Sequence, residues 1–251
     1  MSFINIIHNS RNVLKTVLDI RGYNPSDMKN YTVEQLDELY DKGTADGAIN
    51  EVFSFSVKHK SIPDLKTHIM YYNLPNKGDT KSLRVTRSII NFIEGHYDDD
   101  DVNFEDNCLI IINEKVSNSI RDLLFKYNLE SKERLENDEV DELNPKIQEY
   151  INKDDNNYNI SSIHNVHIIW LKVIALDPLN NIRVPTHRII KDKTEIKDIL
   201  VKCNCKKSQL PIINAFSDTI TILHGAIPGD LCEVIRINNH SGISYNYRLC
   251  K

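Results

Sequence analysis

The stretch Ile227-Pro228-Gly229-Asp230-Leu231-Cys232-Glu233-Val234-Ile235-Arg236-Ile237 decides how this chain folds. From Leu231 onward its odd positions are apolar, Glu233 excepted, and a period of two belongs to a β-strand. After Asn238 to Gly242, a five-residue polar loop ending in Gly, the residues Ile243, Tyr245, Tyr247 and Leu249 repeat the pattern against Ser244, Asn246 and Arg248. Two such arms predict a hairpin with one buried face. The turn that feeds it has Pro where a φ of about −65° is wanted and Gly where φ must be positive, the type II arrangement.

Outward from the hairpin the chain is ordinary globular protein. With 251 residues it is long enough for one or two domains, and 40% hydrophobic with 27% charged residues suits a packed core. A net charge of −5 argues against a stand-alone nucleic-acid binder, which needs a concentrated Lys/Arg surface. Any DNA contact is therefore expected to be weak or lent by a partner. Five cysteines, an odd and modest number, point to a reducing compartment. Phe3, Ile4, Ile6 and Ile7 are interrupted by Asn5 and His8, and no apolar run approaches the roughly 20 residues that span a bilayer, so the chain is expected to be soluble, unsecreted and without a membrane partner. Ile, Asn and Lys are over-used, which reads as coding in an AT-rich genome.

At the N-terminus, Phe3, Ile6, Ile7, Val13, Leu14, Val17 and Leu18 have three-and-four spacing, and Arg21-Gly22-Tyr23-Asn24-Pro25 supplies a Gly stop followed by Pro. Thr32 and Gln35 have the form of a capping box before a short helix carrying Leu36, Leu39 and Tyr40. Phe53, Phe55 and Val57 alternate with polar residues as a strand would, and Ile69 to Tyr72 form a second apolar patch. Thr80 to Ile93 has roughly helical spacing, and Ser117 opens another helix. Cys108 to Ile112 is a continuous apolar run, the signature of a central strand covered on both faces. Strands alternating with helices predict an α/β layer. From Leu129 to Asn159 acidic and amide residues dominate, among them Glu130, Glu133, Asp138, Glu139, Asp141, Glu142, Asp154 and Asp155, which predicts a partly helical insertion or linker. Ile168 to Leu176, around Trp170, completes the first sheet.

Several islands fall in one order: Val184-Pro185-Thr186-His187, Lys207-Ser208-Gln209-Leu210-Pro211, the Pro228-Gly229-Asp230 turn, Val234-Ile235-Arg236, Ser241-Gly242 and Tyr247-Arg248-Leu249-Cys250. They resemble the RNA polymerase fifth-subunit family, which comprises the subunit shared by eukaryotic nuclear RNA polymerases and its shorter archaeal counterpart, the latter similar only to the C-terminal half. The first helix ending in Arg21-Gly22-Tyr23 and the short acidic helix after it resemble the N-terminal jaw domain of the eukaryotic members.

The resemblance implies an α+β chain. Residues 1–128 and 160–178 would form an N-terminal α/β jaw with a restriction-endonuclease-like sheet flanked by helices. Residues 129–159 would be the acidic insertion, and residues 179–251 a small β-rich assembly domain with two short helices. It implies a non-catalytic subunit of a multisubunit DNA-directed RNA polymerase, with no cofactor and no small-molecule substrate. The assembly domain would dock on the largest subunit of the polymerase core through Val184, Pro185, His187, Leu210, Pro211, Arg236, Tyr247 and Arg248. The jaw would help surround downstream duplex DNA. The family's jaw carries a Thr-Pro-Ser-Ala turn where this chain has Lys115-Val116-Ser117-Asn118-Ser119, so the Pro is missing; Lys115, Ser117, Asn118, Ser119 and Arg121 are the candidate phosphate contacts. A divergent member of this kind fits a large nucleocytoplasmic DNA virus, with the protein in host cytoplasmic factories and virions, or an AT-rich protist, with the protein in the nucleus.

Other chemistry fits these residues less well. Asp98 to Asp101 could hold a divalent cation but reads as a solvated loop, having no spaced partner. Cys203 and Cys205, with His187, Cys232 and Cys250 elsewhere, lack the spacing of zinc knuckles and read as incidental or buried thiols. His164 and His167 stand at a strand entrance and read as structural. A degenerate Mg-dependent nuclease would need Asp and Glu for the metal with Lys beside them. Pro63-Asp64 supplies half of that pattern, and the Glu-x-Lys at Glu195-Ile196-Lys197 lies in the other domain. A free-standing adaptor that keeps the assembly module is the remaining alternative.

Overall fold

The computed structural model describes residues 2–62, 64–79, 84–137, 143–151, 162–238, 240 and 242–251. Helix α1 (Phe3–Ile20) buries Ile4, Ile7, Val13, Leu14, Val17 and Leu18 on one stripe, and Gly22 ends it at φ 85°. Helix α2 (Val33–Asp46) starts on the expected capping box: Thr32 Oγ1 accepts from the Gln35 amide at 3.3 Å and Gln35 Oε1 accepts from the Thr32 amide at 2.9 Å. Phe53 departs from the expected strand, closing helix α3 (Ile49–Phe53), and strand β1 is Phe55–Lys58. Apolar residues two apart fit both a strand and a helix end; packing of the Phe53 ring against Tyr40 and Tyr71 decides it.

The first sheet continues with β2 (Lys66–Tyr72), β3 (Asn107–Ile112) and β4 (Val166–Trp170), in the order β1-β2-β3-β4, antiparallel at β1 and parallel elsewhere. All six residues of β3 are buried, as its apolar run demands. Leu109 and Ile111 face α1, α2, α3 and α7 (Leu171–Ala175), while Cys108, Ile110 and Ile112 face α4 (Ser88–Tyr97) and α5 (Asn118–Glu136). Of the stretch expected to be helical from Thr80, residues 80–83 lie outside the described ones and α4 starts only at Ser88. The first turns of the acidic stretch continue α5, with Leu135 buried; helix α6 (Pro145–Ile151) packs Ile147 against Ile62, Leu65, Leu135 and Ile163. Asp138, Glu139, Asp141, Glu142, Asp154 and Asp155 fall outside the described residues.

The second sheet is built from β5 (Thr186–Ile190), β6 (Ile212–Ile213), β7 (Leu231–Asn238) and β8 (Gly242–Cys250), ordered β5-β7-β8-β6. Gly229 at φ 99° and the Asp230 amide bonded to the Ile227 carbonyl at 3.2 Å form the expected turn into β7. Helix α8 (Lys193–Lys202), N-capped by Asp192, covers Ile190, Leu210, Leu231 and Leu249 on one face of the sheet. Ala215, Phe216, Cys232, Val234 and Cys250 pack on the other. Helix α9 (Thr219–Leu223) inserts Ile222 and Leu223 into the core beside α1, joining the two sheets. The architecture is α+β, a layered sheet with flanking helices and a small β-rich unit with two short helices.

Candidate functional site

Strands β7 and β8 pair from Leu231 with Leu249 out to Asn238 with Gly242, so the hairpin's arms run further than the expected loop allows. Side chains alternate between faces, which places Leu231, Glu233, Ile235 and Ile237 beside Leu249, Tyr247, Tyr245 and Ile243 on one face. The alternation predicts this face to be buried. Only its base is: Leu231 and Leu249 lie under α8, whereas Ile237, Ile243 and Tyr245 are 83%, 58% and 56% exposed. Strand β5 stops opposite Ile235 and β6 reaches only Leu249 and Cys250, so the outer half of the hairpin extends beyond its neighbours. Ile237, Ile243 and Tyr245, with half-buried Ile235 at their inner end, thus form a bare apolar strip, a feature that usually marks an interaction surface.

At the foot of the strip Glu233 is buried and ion-paired. Arg188 Nε stands 2.9 Å from Glu233 Oε2, and the same guanidinium holds both oxygens of Glu195, at 2.6 and 3.2 Å. Those partners, Glu195 first and Glu233 second, raise the Arg188 pKa above its ordinary value. The polar exception in the sequence pattern is therefore a compensated charge.

The candidate docking residues do not form one patch. Tyr247 shares the strip's face, while Arg236 and Arg248 point to the opposite one, Arg236 exposed and Arg248 donating from Nη1 to the Ile212 carbonyl at 3.4 Å. Val184 and Pro185 are half-buried, and His187 Nδ1 donates to the Pro185 carbonyl at 2.6 Å. Pro211 is exposed. Leu210 departs from an exposed docking residue: it is buried with Ile199, Leu231 and Leu249, because α8 closes over it.

In the jaw turn, Ser117 caps α5, its Oγ accepting from the Ile120 amide at 3.4 Å. Lys115, Ser117, Asn118 and Ser119 are exposed around that helix N-terminus, and Arg121 folds back so that Nη1 reaches Asn118 Oδ1 at 3.5 Å. Val116, one residue before the cap, is buried against the sheet. The turn thus presents a cation, three small polar side chains and first-turn amides on one surface.

The remaining candidates sit apart from both surfaces. His164 and His167 are buried, and burial pushes each pKa down to about 3. His164 Nδ1 donates to the Phe104 carbonyl at 2.5 Å and His167 Nε2 to that of Ala226 at 3.2 Å, so both are structural. Cys108, Cys232 and Cys250 are buried thiols, and Cys203 and Cys205 lie at the end of α8. Asp98 to Asp101 are exposed beyond α4. Asp64 binds Lys146 at 2.8 Å and Glu195 binds Arg188, while Pro63 lies outside the described residues. Among the described residues no three His, Cys, Asp or Glu stand together as a metal site would require, and no helix is long and apolar enough to cross a membrane.

The unit holding the strip also carries the similarity to known proteins. Residues 176–250 match the family model described as RNA polymerase Rpb5, C-terminal domain. Over 66 residues the chain is 42% identical to the DNA-directed RNA polymerase subunit Rpo5 of Thermococcus celer, covering 26% of this chain and 78% of that one. It is 40% identical over 70 residues to the subunit Rpo5 of Thermococcus kodakarensis, covering 28% and 83%. It is 39% identical over 69 residues to that of Nitrosopumilus maritimus, covering 28% and 81%. These proteins are matched over most of their length by a β-rich unit with the turn, hairpin and Val-Pro entry described above, and on that ground the chain belongs to the RNA polymerase Rpb5 family.

Proposed function

We propose that the protein is a non-catalytic subunit of a DNA-directed RNA polymerase, held on the largest subunit of the core by residues 179–251 and contributing a jaw from the preceding residues. The observation that carries the reading is the bare strip of Ile237, Ile243 and Tyr245, with Ile235 at its inner end, on the hairpin of the family-matched unit. Stable interfaces centre on buried aliphatic and aromatic residues with Tyr nearby, and Tyr247 continues the face of this strip. Burying the exposed parts of four such side chains contributes several kcal/mol at about 25 cal/mol per Å².

The jaw's share is electrostatic. With a net charge of −5 the chain does not gather DNA by itself, but Lys115, Arg121 and the first amides of α5 suit a single phosphate once the polymerase holds the duplex in place. In a virus-encoded polymerase the complex belongs in cytoplasmic factories and virions, in a cellular one in the nucleus.

The test is co-purification of the tagged full-length chain from its native source. Recovery of both large polymerase subunits with the wild type, and their loss with an Ile237→Asp and Ile243→Asp double variant that still folds, supports the reading. Recovery unchanged by the double variant removes the strip from the interface. Absence of polymerase subunits from the wild-type sample points to the adaptor alternative.

A further inference from the structure

A crevice of about 510 Å³ separates the second sheet from the end of α1, on the far edge of the sheet from β8. Six consecutive residues, His187 to Asp192, line it. Successive side chains of a strand point to opposite faces, so a run of neighbours can touch one cavity only when the strand meets it edge-on. Strand β5 is indeed terminal in its sheet, and an antiparallel edge strand turns the N–H and C=O of every second residue outward. One wall of the crevice is therefore an open hydrogen-bonding edge.

Two cations, Arg21 and Lys191, converge on the space beside His59 and His224, whose pKa values burial lowers to about 4 and whose rings are therefore neutral at pH 7. Among the described residues neither Arg21 nor Lys191 enters an ion pair. The acids nearby are already engaged: Asp192 caps α8 through the amides of Thr194 and Glu195, Glu195 is held by Arg188, and Asp230, whose field reaches Lys191, accepts from the Ile227 amide at 3.1 Å. Between the cations, Ile20, Leu65 and Ile227 give the crevice an apolar floor.

The geometry points to a binding site for an extended, acidic polypeptide segment of another chain, added as a strand along β5 with alternate carboxylates directed at Lys191 and Arg21. Main-chain pairing gives such a mode its affinity and the side-chain pockets its selectivity. The volume falls within the 300 to 1,000 Å³ range typical of ligand clefts and accommodates about four residues of such a strand. This site lies apart from the hairpin strip, so the two readings succeed or fail separately.

The experiment uses the isolated, isotope-labelled full-length chain. It is titrated with the blocked hexapeptide Glu-Val-Asp-Leu-Glu-Val, with Lys-Val-Lys-Leu-Lys-Val, and with inorganic phosphate at matched ionic strength, following the backbone amides by NMR. The expected result is a saturable shift of residues 187–191 with the acidic peptide, slowed exchange of alternate amides in that run, and at least ten-fold weaker binding of the basic peptide. Lys191→Met weakens the acidic peptide at least five-fold, and Ile237→Ser leaves it unchanged. Amides of 187–191 that do not respond, equal binding of the basic peptide, or the same shifts from phosphate alone overturn the proposal. If Lys191→Met does not fold, the wild-type titrations with the three probes already decide.

Discussion

Arg21, the residue that ends α1, donates from Nε to the carbonyl of Leu223 at 3.1 Å and from Nη2 to that of Ile222. One guanidinium thus satisfies the last carbonyls of α9 and ties the first helix to a segment some two hundred positions later. Burial at this tie lowers the Arg21 pKa to about 10, which leaves it charged at neutral pH. Gly225, at φ 63°, lies against it: a Cβ there would come within 3.3 Å of the Arg21 side chain.

Replacing Arg21 by Met keeps the apolar stem and removes both bonds, which should cost about 3 to 6 kcal/mol, since each hydrogen bond from a charged donor is worth about 1.5 to 3. The expected readout is a clear fall in thermal midpoint together with faster amide exchange at 222–226. Gly225→Ala should destabilise by more than about 1 kcal/mol, from the left-handed backbone and the close approach together. A midpoint unchanged by both variants would show that this tie does not hold the two sheets together.

The strip on the hairpin predicts a split between stability and association. Ile237→Asp and Ile243→Asp act on exposed side chains, so the isolated chain should change by no more than about 0.5 kcal/mol. Leu231→Ala, at the buried base of the same face, should cost about 2 to 5 kcal/mol. Urea melts of the three variants beside polymerase recovery separate a docking residue from a core residue.

Acid should unfold the protein through its buried histidines. Because the native pKa values of His164 and His167 are held near 3, below their ordinary 6.5, the unfolded chain binds protons that the native one refuses. Their contribution is therefore complete above about pH 6.5 and is lost as pH falls from there toward 3, at about 1.4 kcal/mol per pH unit for each ring. Denaturation midpoints taken between pH 7 and 5 should show this slope. His167→Phe, stacked on Phe216 in place of the imidazole, should flatten it by one proton even though the bond to Ala226 is gone.

At the jaw turn, Ser117→Ala should cost about 1 kcal/mol through removal of the helix cap. Lys115→Glu with Arg121→Glu should leave the free chain's stability unchanged and make the assembled polymerase release downstream DNA at lower salt, with the salt slope reduced by about one for each phosphate no longer held. A slope identical to wild type would remove this turn from the DNA path.

Local chemistry makes much of this structure legible in the sequence. The Pro228-Gly229 turn, the capping box at Thr32, the Gly22 stop and the buried run Cys108 to Ile112 each follow from a constraint acting within a few residues. Where expectation and structure part, the cause is tertiary. Alternation reports that one face of a strand is apolar, not what covers it, so the bare outer half of the hairpin has the same pattern as its buried base. Length is the available clue: arms that reach to Asn238 and from Gly242 outrun a neighbour as short as β6. Leu210 departs in the opposite direction, because a motif residue beside an exposed Pro211 reads as surface while α8, folding back from Asp192, covers it. Phe53 fits strand and helix end alike, and only Tyr40 and Tyr71 packed against it decide between them. The crevice beside β5 has no sequence signature at all, since its walls come from segments near residues 21, 59, 191 and 224 that only the fold brings together.

The short reach of β6 has a consequence for the protein before it joins anything. Beyond Arg248 toward the hairpin tip, β8 has no further strand beside it among the described residues, and its side chains there include Ile243 and Tyr245. An open edge next to an apolar face is a template for pairing between copies. Chains made in excess of their partner should therefore self-associate as their concentration rises, which ties the tolerable dosage of this gene product to the supply of the surface that covers it.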